Sequence, residues 1–171
     1  TGLYLDQIDT YSKVSELAEG KRVMDCFSNQ GGFGLACARA GAASVTCVDI
    51  SGEAVSAATH NAELNNLEIR AIEANAFDYL KNCDETFDLI ILDPPSFTRS
   101  KKALNDAMRG YKEIHLRALK LLNHDGYLAT FSCSHHVTRE LFLNNVRDAA
   151  VDARRTLRLV ESYSQRPDHP I

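Results

Sequence analysis

A doubly wound α/β domain, with a mostly parallel sheet and helices on both faces, is predicted by three features of this 171-residue sequence. Strand-like and helix-like stretches alternate from end to end with short connections, the pattern of repeated βαβ units. The run 87–92 is apolar apart from Asp88, as expected of a strand covered on both faces. A turn containing Gly31-Gly32 ends the first strand-like run, and an acid, Asp49, closes the second. Open sheets of this class bind ligands along that carboxyl edge.

The elements follow in order. Residues 23–27 read as the first strand and 33–39 as a helix, with Gly41 placed to end it. A β-branched strand over 44–48 leads to Asp49, and Ser51 is a good N-cap for a helix over 54–64. A short strand at 69–72 and a short helix at 76–81 precede the apolar strand 87–92. Residues 103–122 read as a long helix interrupted near Gly110, and 127–131 as strand five. Thr138 caps a helix through Ala150, and 156–160 reads as strand six. No repeat, low-complexity segment or linker divides the chain, so residues 1–171 form one expected domain. It opens on Thr1 and stops at Ile171 in what reads as a connection, the character of an excised domain.

Hydrophobic residues at 44% and charged residues at 25% match an ordinary soluble globular domain. No apolar run approaches a membrane span, and no signal-peptide pattern opens the chain. The five cysteines (26, 37, 47, 83 and 133) form no CxxC pair and no zinc-like spacing, so no metal is expected and a reducing, cytoplasmic setting is. Cys26 and Cys47 lie in strand interiors and read as packing. A net charge of −4 excludes an electrostatic grip on nucleic acid by the whole surface, while leaving local patches open.

Asp25-Cys26-Phe27-Ser28-Asn29-Gln30-Gly31-Gly32-Phe33-Gly34 spans the first strand end and the first helix start. Such a turn brings backbone N–H groups to a ligand, and Asp49 is placed to accept from two ribose hydroxyls. The spacing is not GxGxxG, because Phe27 and Asn29 stand where glycines are expected. Asp25 inside the turn suits a cationic amino-acid group and would repel a pyrophosphate. An adenosyl amino acid fits better than a dinucleotide.

Further stretches make a resemblance specific: Thr1-Gly2-Leu3-Tyr4-Leu5-Asp6-Gln7, Val48-Asp49, Asp93-Pro94-Pro95-Ser96-Phe97, Arg109-Gly110-Tyr111, Phe131-Ser132-Cys133-Ser134 and Asp168-His169-Pro170. With 25–33 they cover nearly the whole chain in order. The chain resembles class I S-adenosylmethionine-dependent methyltransferases with a Rossmann-like fold, and within them the bacterial family that methylates large-subunit ribosomal RNA, its cytosine-5 branch above all. The resemblance implies an amino-terminal PUA-type RNA-binding domain and a last strand outside these residues. It implies S-adenosylmethionine as cofactor, S-adenosylhomocysteine as product and ribosomal RNA as partner. It assigns Phe27, Ser28, Gly31 and Gly32 to the methionine side of the cofactor, Asp49 to the ribose, and Asn75, Ala76 and Phe77 to the adenine, with Gln7, Asp25, Ile50 and Asp93 also in contact. Relatives usually carry aspartate at the position of Asn75, so weaker cofactor binding is expected here.

The chemistry then follows from two residues. Carbon 5 of a pyrimidine is barely nucleophilic, and adding a thiolate to carbon 6 makes it an enamine-like nucleophile. Cys133, after strand five, is the candidate nucleophile, and Asp93, after strand four, the group that holds the cytosine edge, either donating at N3 or accepting from the amino group. Pro94, Pro95, Phe97, Arg99, Lys101, Arg109 and Tyr111 are expected on the substrate side. Amino-methyltransferases use a similar (Asp/Asn)-Pro-Pro-aromatic turn without a cysteine, but here Ser96 follows the second proline. A guanine-N7 branch has asparagine where Cys133 stands, so the thiol decides for carbon 5. His135-His136 read as loop residues, Asp168-His169-Pro170 as a possible pocket lining, and Arg154, Arg155 and Arg158 as surface charges. The basic stretch 99–112 could cradle phosphates around an extruded base. The competing readings are guanine or other nucleobase methylation on the same fold, a non-catalytic cofactor- and RNA-binding assembly factor, and a nicotinamide oxidoreductase.

Overall fold

The computed structural model of the protein describes residues 4–98, 101–134 and 136–163, apart from the side chains of Leu5 and Lys101. Among these residues five strands form one parallel sheet: β1 (Arg22–Cys26), β2 (Ser44–Asp49), β3 (Arg70–Glu73), β4 (Phe87–Leu92) and β5 (Leu122–Thr130). Their spatial order is β3-β2-β1-β4-β5, so the chain reverses its direction of winding between β1 and β4. Register across that switch is fixed by Val23↔Leu89, Asp25↔Ile91 and Cys26↔Leu92. The helices are α1 (Ile8–Ser15), α2 (Gly32–Arg39), α3 (Gly52–Leu64), α4 (Ala76–Asn82), α5 (Leu104–Leu121) and α6 (Arg139–Asp152).

The period of two along the central strands builds two cores. Met24, Cys26, Ile90 and Leu92 pack on one face with Leu80 of α4, Tyr111, Ile114 and Ala118 of α5 and Ala149 of α6. Val23, Leu89 and Ile91 pack on the other with Val45 and Cys47 of β2, Val14 of α1, and Phe33 and Cys37 of α2. Beyond Asp88 both faces of β4 are therefore apolar, which is why Leu89 to Leu92 show no polar alternation.

Four expectations change. Helix α1 has no counterpart in the sequence reading; it buries only Thr10 and Val14, one turn apart, a stripe too narrow to stand out among polar neighbours. Gly110 does not interrupt α5, which runs unbroken through it. Strand β5 begins at Leu122 rather than at 127, with Asn123 to Gly126 standing opposite the single Asp88. Asp88 holds this irregularity, accepting from Asn123 Nδ2 at 2.8 Å and from Arg22 N at 2.9 Å. Finally, 156–160 is not a strand: these residues join no ladder, and Leu159 and Val160 are 62% and 68% exposed. Alternating apolar residues make a strand only where a neighbour supplies hydrogen bonds.

His115 of α5 is fully buried, with Nδ1 3.0 Å from Asn145 Oδ1 and Nε2 2.8 Å from Thr130 Oγ1. Asn145 Nδ2 donates to the Met108 carbonyl, which turns its oxygen toward the ring. Nδ1 therefore carries a proton, and in the neutral ring that burial favours Nε2 accepts from the Thr130 hydroxyl. Burial first of all lowers its pKa to about 4, with the Asn145 bond opposing. In the unfolded chain the ring takes its proton near pH ~6.5. This residue therefore contributes a loss of stability that grows as pH falls from about 6.5 to 4, roughly 3 kcal/mol in all. Histidine NMR should find His115 neutral at pH 5; a midpoint near that of free histidine would contradict the assignment.

Candidate functional site

The carboxyl ends of β1, β2, β4 and β5 deliver the expected residues to one edge. The turn after β1 adopts an unusual backbone: Phe27 and Asn29 have φ of 63° and 47°, and Gly31 has 83°. The two positions where a dinucleotide motif would have glycine thus take glycine-like dihedrals, at a cost for a bulky residue such as Phe27. Ser28 N donates to Val48 O at 3.1 Å and Gly31 N to Ser28 O at 2.8 Å, which holds the turn closed. Asn29 N and Ser51 N donate to the two oxygens of Asp49, at 2.8 and 3.0 Å. That carboxylate keeps further lone pairs for a ligand. Ile50 beside it is 68% exposed, an apolar side chain left open at the sheet edge.

Asp25 is buried. Its Oδ2 accepts from Gly34 N at 2.8 Å, while Oδ1 and the nearby Ser28 Oγ have no hydrogen-bond partner. Burial, opposed by the Gly34 bond and reinforced by Asp93 and Asp49, pushes its pKa up to about 8. A buried orphan carboxylate oxygen and an orphan hydroxyl in one turn are what a cationic, hydrogen-bonding ligand would satisfy. Tyr11 of α1 roofs this turn: a Cβ on Gly32 would come within 2.8 Å of Tyr11 Cζ. Sequence reading missed Tyr11 because it missed α1.

Asp93 follows β4 and accepts from Gln7 Nε2 at 2.9 Å. Gln7, expected on the cofactor, here steadies the carboxyl group. Burial raises the Asp93 pKa to about 6, with the Gln7 bond opposing and Asp6 adding to the rise. Cys133 is exposed, whereas Cys26, Cys37 and Cys47 are buried. Its Sγ lies 3.8 Å from the Pro94 carbonyl oxygen, directly beyond Asp93. Burial and the neighbouring Asp93 both push the thiol pKa up, so the free site keeps it protonated. The two strand-end loops expected to meet do meet.

The other expected residues are placed as follows. Asn75 Oδ1 caps α4, accepting from Phe77 N at 2.9 Å and Asp78 N at 3.4 Å. Ala76 is buried under that turn, and Phe77 forms a row with Phe27, Phe97 and Tyr111, ring centroids 6.4, 5.9 and 4.6 Å apart in sequence. Pro94 is buried and Pro95 exposed, while Tyr111 is wholly buried behind the cleft. In the basic stretch, Arg109 pairs with Asp106, and Lys112 with Asp152 at 2.8 Å. Such exposed pairs are weak and open readily to a phosphate. Arg155 is no surface decoration, since it donates to the Leu122 carbonyl. Arg99, the Lys101 side chain, His135 and Asp168-His169-Pro170 lie outside the described residues. Among the described residues no three His, Cys, Asp or Glu side chains are grouped to hold a metal ion, and no helix is long and apolar enough to cross a membrane.

Comparison with known proteins agrees with this geometry. The model of the methyltransferase small domain family matches residues 5–156. The ribosomal RNA large subunit methyltransferase I of Shewanella amazonensis is 46% identical, over 100% of this chain and 45% of its own length. The chain thus spans less than half of that relative. A SAM-dependent methyltransferase from Agrobacterium tumefaciens superposes with a TM-score of 0.75 at 25% identity, over 87% of this chain and 51% of the other. The Pyrococcus abyssi tRNA (uracil-54, C5)-methyltransferase, solved with S-adenosyl-L-homocysteine, gives 0.56 at 26% identity, over 81% and 30%.

Gly34 is where α2 approaches β2 most closely: an added Cβ would fall 2.4 Å from Cys47 Sγ and 3.3 Å from Asp25 Oδ2. Gly34→Ala should destabilise the protein by about 1–3 kcal/mol through overpacking. Urea unfolding should show Cys47→Ala restoring most of that loss in the double variant; an unchanged loss would place the strain elsewhere.

Proposed function

The chain belongs to the methyltransferase small domain family, and we propose that it transfers a methyl group from S-adenosylmethionine to carbon 5 of a cytosine in large-subunit ribosomal RNA. The observation that carries the reading is the juxtaposition of Cys133 Sγ with the Asp93-Pro94 turn, at 3.8 Å from Pro94 O. The sequence likeness to a ribosomal RNA large subunit methyltransferase supports the substrate class. A structural relative that acts on carbon 5 of a uracil supports the chemistry on this fold.

The residues fit the cofactor. Asp25, Asp49 and Asp93 make the edge acidic, and the orphan Asp25 Oδ1 and Ser28 Oγ suit an amino-acid ammonium. The same acidity opposes a dinucleotide pyrophosphate. Ile50 offers an apolar surface beside Asp49 for the adenine. S-adenosylmethionine supplies the methyl group as a sulfonium electrophile. Cys133 Sγ adds to carbon 6 of the base and releases its proton to water, carbon 5 takes the methyl, the carbon-5 hydrogen leaves to water as a proton, and the carbon–sulfur bond breaks as the sulfur takes a proton back, so that one proton is released for each methyl transferred. Because burial, and after it the neighbouring Asp93, raise the Cys133 pKa, addition is coupled to proton removal rather than started from a standing thiolate. Asp93, with a pKa of about 6, changes charge within reach of neutral pH and can serve the cytosine edge in either protonation state.

Asp25 gives a pH dependence with a definite sign. A carboxyl group with a pKa of about 8 in the free protein must ionise to hold an ammonium, so cofactor binding releases a proton. Affinity should rise by roughly tenfold from pH 6 to 7, below the range near pH ~8 where the ligand amine itself deprotonates. Calorimetry in buffers of different ionisation enthalpy reads both quantities; affinity that is flat or falls over this interval rules out Asp25 as the ammonium partner.

Cys133→Ala in the full-length protein should abolish transfer of labelled methyl from S-adenosylmethionine to large-subunit RNA, by at least roughly 10³-fold, with cofactor affinity kept within about twofold. Transfer that survives the substitution would favour a guanine or other nucleobase target. Wild-type protein that binds cofactor and RNA without transferring methyl would make the chain a binding module.

A further inference from the structure

Cys133 stands between two serines whose hydroxyls bond to one buried phenol. Tyr111 Oη lies 2.9 Å from Ser132 Oγ and 3.1 Å from Ser134 Oγ. Ser134 Oγ lies 3.0 Å from Ser96 Oγ, and Ser96 donates to the Thr98 carbonyl at 2.8 Å. The direction of this chain follows from counting protons. A carbonyl only accepts, so the single Ser96 proton is committed to Thr98. Ser134 then donates to Ser96, Tyr111 to Ser134, and Ser132 to Tyr111. Ser132 Oγ in turn accepts from Ser134 N at 3.3 Å. Every hydroxyl has its one proton placed, and the chain crosses from the loop after β5 to the turn after β4.

The backbone does little of this work. Beyond the ladder, among the described residues, the two loops share one backbone hydrogen bond, Phe131 N to Leu92 O at 2.9 Å. The distance from Cys133 Sγ to Pro94 O depends on how the loops are held further out. Tyr111 is a rigid anchor for that purpose. It is fully buried, with Phe97, Phe142 and His115 at centroid distances of 4.6, 5.4 and 6.2 Å.

We propose that Ser132, Tyr111, Ser134 and Ser96 form a clasp that sets the Cys133 thiol against the Asp93-Pro94 turn, with Tyr111 a positioning residue behind the site rather than a substrate contact. This rests on Cys133 being the nucleophile. An error of about 1 Å in placing a reacting group can cost on the order of 10²-fold in rate. The clasp therefore acts on turnover and on thiol presentation, and leaves binding alone.

The test uses Tyr111→Phe and Ser96→Ala in the full-length protein. Two quantities are followed: steady-state methyl transfer to large-subunit RNA, and iodoacetamide alkylation of the Cys133 peptide by mass spectrometry between about pH 7 and 10. Each variant should lower kcat by roughly tenfold to a hundredfold, with both KM values within about twofold. Each should also displace the pH profile of Cys133 alkylation. The double variant should be no worse than Tyr111→Phe, because either break opens the same chain. Wild-type kcat and thiol profile in the folded variants would overturn the clasp. A lowered kcat with an unmoved thiol profile and a lower melting temperature would also overturn it, leaving Tyr111 as packing. If Tyr111→Phe fails to fold, Ser96→Ala, in the exposed turn, carries the test alone. Transfer that survives Cys133→Ala in the same assay sinks the nucleophile and the clasp together. Transfer lost in Cys133→Ala but untouched in the clasp variants sinks only the clasp.

Discussion

The site depends on the register of β4 between its two parallel neighbours. Cys26 pairs with Leu92, and Leu92 with Thr130, so β1, β4 and β5 end level with one another. The residues that follow are thereby forced together: the Phe27–Gly31 turn, Asp93 and the Ser132–Ser134 loop. A slip of one residue would turn Asp93 to the other face and bury it in a core. The register is held by the two-sided apolar packing of Leu89 to Leu92 and, at the far end, by Asp88, which bonds both Arg22 N and Asn123 Nδ2. Residues remote from the chemistry thus decide where the chemistry stands.

Bringing three strand ends together also concentrates carboxyl groups. Asp25, Asp49 and Asp93 share one edge, and Asp93 and Asp49 add to the burial that raises the Asp25 pKa. The free protein carries that strain as a proton on Asp25 and an orphan oxygen in its core. A ligand with two positive centres, a sulfonium and an ammonium, relieves it. Burial first, and Asp93 second, push the pKa of the Cys133 thiol up, so the free site keeps that exposed cysteine protonated.

Much of this was legible in the sequence because it rests on local pattern. The apolar run 87–92, the glycine turn and the acid at position 49 announced a doubly wound sheet and its ligand edge. The pairing of Asp93 with Cys133 followed once strands four and five were taken as neighbours. What was not legible depended on tertiary contact. Gly110 is a weak helix residue, yet α5 runs through it because Phe97 lies against it, 3.4 Å from where a Cβ would be. Residues 156–160 alternate like a strand but find no ladder partner among the described residues. The Tyr111 hydroxyl and the Ser96–Ser134 bond leave no periodicity to read, since single hydroxyls join residues 21 to 38 positions apart only after the fold has formed. The bond from the Gln7 amide to Asp93, across 86 positions, is of the same kind.

The account stands on a sulfur–carbon bond to the base, and that bond can be trapped. Incubating the full-length protein and S-adenosylmethionine with large-subunit RNA carrying 5-azacytidine should yield a stable protein–RNA adduct, because the nitrogen at position 5 has no hydrogen to release. Mass spectrometry should place the adduct on Cys133. An adduct on another residue, or none while methyl transfer to ordinary RNA proceeds, would contradict covalent carbon-5 chemistry.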